Sequence, residues 1–252
     1  MKRAVVGLIA VAVTFFLPPS AMSAPDQPAY RVFLDVSRAP DAGETALKSS
    51  ALVTEWYPKI NEILYGPDHP LPFNAVFVLF IPDVKYIAYT SGNVIHVSSD
   101  YIKVMPDDFG AMLIHELTHV VQHYTIEQPE DGWVVEGMAD YVRHKYFEKD
   151  IQATLRLNTS GQLYGYTDAE PFFYGLQKLG DSVDERGYLK SYTVASTFLF
   201  WLESHKDKQI VRELNLALSR GHYSADLFQQ LCGKPLDDLW AEFVADSKAH
   251  KN

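Results

Sequence analysis

The 252-residue chain has one cysteine, Cys232, so it cannot close an intrachain disulfide. Its fold must be held by packing, hydrogen bonds or a bound ion rather than by cross-links. Positive charge is in deficit: 22 Lys and Arg stand against 32 Asp and Glu, a net charge of −10. An acidic surface lacks the long-range attraction that nucleic acids and anionic membranes exert on their partners, so neither is expected to bind. Internal repeats and low-complexity tracts are missing too. Long apolar runs are scarce, and the one at residues 4–17 is shorter than the ~20 residues needed to span a bilayer.

That run has a different meaning. Lys2 and Arg3 precede it, Pro18 and Pro19 break it, and the small residues Ala21, Ser23 and Ala24 follow. A charged start, an apolar centre and a small-residue end describe a secretory signal peptide over residues 1–24, cleaved near Ser23 or Ala24. No cysteine lies near the cleavage point to carry a lipid. Removing the leader takes away two positive charges, so the net charge moves from −10 to −12. Residues 25–252 remain, long enough for one domain with a real core. Export without disulfides suits a bacterial periplasm, so the expected location is periplasmic or secreted, with no stable membrane insertion after cleavage.

What the chain does have is histidine in a chemically meaningful pattern. Residues 111–124 contain His115-Glu116-Leu117-Thr118-His119, an H-E-x-x-H string flanked by Met112, Leu113, Val120 and Val121. On a helix, positions i and i+4 lie about 40° apart around the axis and about 6 Å apart along it. His115 and His119 can then present their imidazoles to one ion. Glu116, rotated aside, can reach a water on that ion without ligating it. Asp107 and Asp108 suit the helix N-terminus.

The string would arise by chance in roughly one chain in a hundred of this length, so it needs a second support. Residues 132–141, Gly-Trp-Val-Val-Glu-Gly-Met-Ala-Asp-Tyr, supply one. A hydrolytic zinc site has three protein ligands and an open position, and Glu136 is the best third candidate. It opens a predicted helix over 133–148, after a turn at Pro129–Gly132 that doubles the chain back. Asp140, one turn further on the same face, can accept a hydrogen bond from a ligating imidazole. Gly137 would let the two helices approach closely. The alternative for Glu136 and Asp140 is an acidic face on an amphipathic helix. His96, His123 and His144 read as structural or cleft-lining residues.

Elsewhere the periodicities predict a strand at 30–36, a helix at 43–65, a central strand at 73–81, and a hairpin of 86–90 and 93–98 around Ser91-Gly92. Helices follow at 189–204, 206–219, 224–231 and 235–248. Residues 158–187 hold Tyr164, Tyr166, Phe172, Phe173 and Tyr174 with no period, and read either as a functional loop or as a surface connector.

Several stretches together carry a family resemblance: Ala88–Ser98, His115–His123, Trp133–Tyr141, Tyr192–Leu202, Tyr223–Phe228 and Gly233–Trp240. They resemble the basic secretory protein family of plants and bacteria, which belongs with the thermolysin-like, or gluzincin, zinc metallopeptidases. The resemblance covers roughly residues 30–246. It implies an α+β, zincin-like architecture, with a mixed-sheet lobe over about 30–125 and a helical lobe over about 126–248. It implies His115, His119 and Glu136 as ligands of one Zn²⁺ per chain, Glu116 as general base, and Tyr192 as the residue that steadies the transition state. Relatives hold an extended peptide on an exposed sheet edge, here expected at Asn93–Ser98. The acidity of this chain departs from the family name. The absence of a Gly-x-Met-Glu-Asn motif, which zinc aminopeptidases use to bind a free amine, favours an endopeptidase acting on a peptide or protein. The rival expectation is an exported zinc-containing binding protein that turns nothing over.

Overall fold

The computed structural model describes residues 30–124, 132–148, 156–157, 163–164 and 186–249. The expected leader at 1–24, the expected turn at Pro129–Gly132 up to Asp131, and almost all of 158–187 lie outside the described residues. The architecture is α+β, a small mixed sheet with a majority of helix.

The alternating stretch Arg31–Asp35 forms β1, and helix α1 (Gly43–Tyr65) crosses over to β2 (Ala75–Ile81). Pro58 sits inside α1 and has no N–H for the carbonyl of Thr54. The Tyr30 hydroxyl takes that place, donating to Thr54 O at 2.6 Å, so the start of β1 repairs the helix it packs against. A hairpin follows, β3 (Ala88–Ser91) and β4 (Val94–Ser98), turning at Gly92 with φ +60°. The strand order is β1-β2-β4-β3, with β2 parallel to both β1 and β4 and β3 antiparallel to β4. The expected edge at Asn93–Ser98 is therefore corrected. β4 lies between β2 and β3, and among the described residues the edge on that side belongs to β3.

One face of the sheet, carrying Val76, Val78, Phe80, Ile95 and Val97, is fully buried under α1 and helix α3 (Phe109–Gln122). A short helix α2 (Ser99–Val104) joins β4 to α3, capped by the Ser98 hydroxyl on the Tyr101 N–H. Asp108 precedes α3 but does not cap it. Its carboxylate instead accepts from the Tyr101 hydroxyl at 2.8 Å and from Arg143 at 3.3 Å. Helix α4 (Gly132–Val142) packs on α3, and its last turn widens into a π-helical turn at Arg143–Phe147. The predicted continuous helix to 148 is thus interrupted by one extra residue in a turn. The pair Arg156–Leu157 and Leu163–Tyr164 forms a small antiparallel ladder, β5 and β6.

Helices α5 (Tyr192–His205), α6 (Ile210–Ser219), α7 (Asp226–Cys232) and α8 (Leu236–Ala249) complete the chain. Their aromatic residues join Trp133 in a buried cluster, with Trp133 4.5 Å from Tyr188 and Phe198 5.2 Å from Trp240, ring centre to ring centre. The buried residues of sheet and helices form one continuous core. Among the described residues no helix is long and apolar enough to cross a membrane.

Gly137 has a different neighbour from the expected one. A Cβ there would lie 2.9 Å from Ala195 Cβ and 3.3 Å from Leu199 Cδ1, so the close approach is between α4 and α5, not between α4 and the histidine helix. This contact fixes the depth at which α4 sits. Gly137→Ala should lower stability by about 1–3 kcal/mol in urea unfolding with chelator present. The same change in an uncrowded helix would gain about 1 kcal/mol. Adding Ala195→Gly should return part of the loss. A Gly137→Ala chain as stable as wild type would show that α4 and α5 separate freely.

Candidate metal centre

Helix α3 brings His115 and His119 to one face, their ring centres 4.8 Å apart and the rings near perpendicular at 81°. The helix is interior because Leu113, Ile114, Leu117, Val120 and Val121 bury against sheet and α1, which leaves the histidine face toward α4. Glu136, in the second turn of α4, points back at it. His115 Nε2 lies 3.1 Å from His119 Nε2 and 3.2 Å from Glu136 Oε2, and His119 Nε2 lies 3.5 Å from the same oxygen. Among the described residues this is the one group of three whose ligand atoms could hold a metal ion.

Each imidazole is held from behind. His115 Nδ1 is 2.9 Å from Asp140 Oδ1, and a carboxylate can only accept, so Nδ1 carries a proton. His119 Nδ1 is 2.7 Å from Gln122 Oε1. The Gln122 amide donates its own N–H to Val135 O at 3.0 Å, which fixes Oε1 as the atom facing the ring. Both Nδ1 atoms therefore donate, and both Nε2 atoms turn their lone-pair positions toward each other and toward a carboxylate oxygen. Such a convergence needs a positive centre, either a proton or a metal ion. Two neutral imidazoles and a carboxylate are a donor set that fits a divalent transition metal.

The charges show the same demand. Burial works against a charged His115, yet Asp140 and Glu136 outweigh it and push its pKa up to about 10. Burial likewise opposes the charge on Glu136, but the two histidines bring it down to about 2. Asp140 is held well below the usual carboxylate range, because bonds to His115 and His144 overcome its desolvation. Arg143 adds its guanidinium 3.9 Å from Asp140, and bonds to Glu148 at 3.4 Å. His144 Nδ1 meets Glu148 Oε2 at 2.6 Å, outside the ligand cluster. His96 stacks on Tyr89 at 4.3 Å, and His123 lies against Phe73 at 4.4 Å.

Glu116 is buried and stands outside the ligand trio. Its Oε2 is 2.8 Å from Thr90 Oγ1, which reaches across from β3. Tyr192, the first residue of α5, is 55% exposed, and its ring lies nearly parallel to that of His115 with centres 6.1 Å apart. The structure thus brings His115, His119, Glu136, Asp140, Glu116 and Tyr192 close together where α3, α4 and α5 meet. It adds two residues that the sequence reading passed over. Gln122 sits three positions after His119, a spacing that was there to be read. Thr90 comes from a strand 26 residues earlier, and no local pattern points from it to Glu116.

With the geometry in place, comparison with known proteins is informative. A family model described as a peptidase of plants and bacteria matches residues 20–160 and 174–243. No curated protein sequence matches the chain. The match extends over most of the chain and includes every residue of the cleft, so the chain belongs to this family.

Loss of either backing residue should weaken metal binding. Asp140→Asn and Gln122→Leu are each expected to cost roughly 10–100-fold in affinity, read by competition with a chelator. His115 must give up its proton to ligate, and with its pKa near 10 it holds that proton at neutral pH. Binding at pH 7 should therefore release a proton, and affinity should rise with pH up to about 10. Calorimetry in buffers of different protonation enthalpy counts the proton. Release of none would show that His115 is already neutral in the metal-free site, and metal content of His115→Ala then decides whether it is a ligand.

Proposed function

We propose that this member of the plant and bacterial peptidases is an exported, zinc-dependent endopeptidase of gluzincin type with a zincin-like fold. The observation that carries the reading is the convergence of His115 Nε2, His119 Nε2 and Glu136 Oε2 beside a buried carboxylate, Glu116, that is not one of them. These three residues would hold one Zn²⁺ per chain. Zinc in a site of two imidazoles and a carboxylate supplies Lewis acidity, lowering the pKa of a water and polarising a carbonyl.

The remaining steps belong to the chain. Glu116 takes the proton of the attacking water on a carboxylate oxygen and later passes it to the departing amine, acting first as base and then as acid. Tyr192 donates its hydroxyl to the carbonyl oxygen of the scissile bond as negative charge builds there. The Glu136 carboxylate, and then burial, raise the pKa of Tyr192, so the hydroxyl keeps the proton it has to donate. β3 is the outer strand on its side among the described residues and carries the Thr90 that bonds to Glu116, so its edge suits an extended peptide bound through backbone hydrogen bonds. That geometry, with no motif to capture a free amine, supports internal cleavage of a peptide or protein.

Two variants separate this reading from that of a zinc-holding binding protein. Glu116→Gln should keep zinc and fold while abolishing cleavage of a mixed peptide pool, because an amide cannot take the proton. Tyr192→Phe should cost about 10²–10³ in turnover with less effect on substrate binding. Wild-type protein with full zinc and no cleavage would favour the binding protein. Export is checked separately: N-terminal sequencing of protein from the cell envelope or medium should begin near Ala24 or Pro25. Protein that starts at Met1 in those fractions would overturn the leader over residues 1–24.

A further inference from the structure

Thr90 has no part in the scheme above, yet its hydroxyl bonds to the Glu116 carboxylate. It lies on the edge strand β3, where its pairing with Ile95 sets it on the inner face, toward α3. The neighbours Tyr89 and Ser91 point the other way and are exposed. The hydroxyl reaches two atoms of the same residue, Glu116 O at 2.9 Å and Glu116 Oε2 at 2.8 Å. A threonine has one proton to give. The backbone oxygen lies inside a helix, where the N–H four residues on already bonds to it. The carboxylate oxygen is the stronger acceptor of the two, because it is charged. The proton therefore goes to Oε2, and the hydroxyl holds the carboxylate of Glu116 while lying close to its backbone oxygen.

We propose that Thr90 is a positioning residue for Glu116: it ties Oε2 to the edge strand and leaves Oε1 as the oxygen that meets the water's proton. A carboxylate on a freely turning stem offers either oxygen in any direction. One that is pinned through Oε2 offers a single oxygen in a single direction, and misplacement by about 1 Å can cost about 100-fold in rate. Because β3 is also the outer strand among the described residues, the strand suited to pair with a peptide is the strand that aims the base. The catalytic half of this inference rests on the peptidase reading. The geometric half does not.

The test uses Thr90→Val, which keeps shape and β-branching but removes the hydroxyl, and Thr90→Ser, which keeps the hydroxyl. Both are made in the full mature chain and compared for zinc content, kcat and KM on a peptide that wild type cleaves. Thr90→Val should retain zinc and KM and lose roughly 10–100-fold in kcat, while Thr90→Ser should stay near wild type. An unchanged kcat in Thr90→Val, or a Thr90→Ser as slow as Thr90→Val, would overturn the proposal, the latter by showing that packing is what matters. Crystal structures of metal-free wild type and both variants supply a readout independent of activity. The Glu116 carboxylate should keep one orientation in wild type and Thr90→Ser and turn away in Thr90→Val. Finding it unmoved in Thr90→Val would also overturn the proposal. A wild type that cleaves nothing defeats the peptidase reading, and the crystallographic comparison still decides Thr90.

Discussion

The rest of the cleft depends on one hydrogen bond, from His115 Nδ1 to Asp140 Oδ1 at 2.9 Å. An imidazole on a helix can rotate about two side-chain bonds, so i, i+4 spacing gives proximity but not aim. The bond fixes the tautomer of His115, turns Nε2 into the cleft and ties α3 to α4. Asp140 and Glu136 are four residues apart on α4, so seating Asp140 against the ring also delivers Glu136 Oε2 to the far side of it, 3.2 Å from Nε2. Two helices that meet correctly at one bond thereby assemble three ligand atoms.

A buried carboxylate is costly unless it is paired and hydrogen-bonded, and Asp140 is almost wholly buried. Its surroundings answer that cost. His115 faces one oxygen, His144 lies 3.7 Å from the other, and Arg143 stands 3.9 Å from the first. Arg143 in turn binds Asp108 and Glu148, and Asp108 accepts from Tyr101. The widened turn at Arg143–Phe147 carries two of these partners, Arg143 and His144. The polar network therefore reaches from the cleft back to the helix that follows β4. On an adjoining face of α4, Gly137 lets α5 come close, and α5 begins at Tyr192, beside the His115 ring.

Local order along the chain made part of this legible. The H-E-x-x-H spacing is helical, and Glu136 and Asp140 share a helix face one turn apart, so ligand candidates and the backing carboxylate could be named from sequence. The sheet faces followed from alternation, and β2 came out central. Alternation states which face a residue takes but not which strand lies beside it. The edge at Asn93–Ser98 was expected from the family resemblance alone, and the pairing of β3 with β4 moves it to β3. Thr90 was out of reach, since its contact with Glu116 exists only once β3 pairs with β4 and α3 packs beneath them. Asp108 looked like a cap by position, but a closer donor, the Tyr101 hydroxyl, and the Arg143 guanidinium claim it. Gly137 advertised a close approach without saying to which helix. Gln122 lies three residues past His119, a helical spacing, but an uncharged amide carries no signal that distinguishes it from any other surface-capable residue.

Holding an ion and doing chemistry make different demands on this cleft, and Glu116 tells them apart. A site that only retained zinc would need His115, His119 and Glu136, with Asp140 and Gln122 behind the rings. It would gain nothing from a further carboxylate that is 7% exposed, forms no ion pair among the described residues and accepts one hydroxyl proton. A leucine at that position would pack in a helix whose neighbours Leu113, Leu117 and Val120 are fully buried, and would avoid desolvating a charge. Groups that lower stability in this way are characteristic of sites kept for their activity. The positioning of Glu116 points the same way, since a carboxylate carried only as a passenger needs no fixed orientation. Here the hydroxyl of a residue on β3 reaches over to hold one of its carboxylate oxygens. The geometry of Glu116, more than the ligand trio itself, supports turnover over storage.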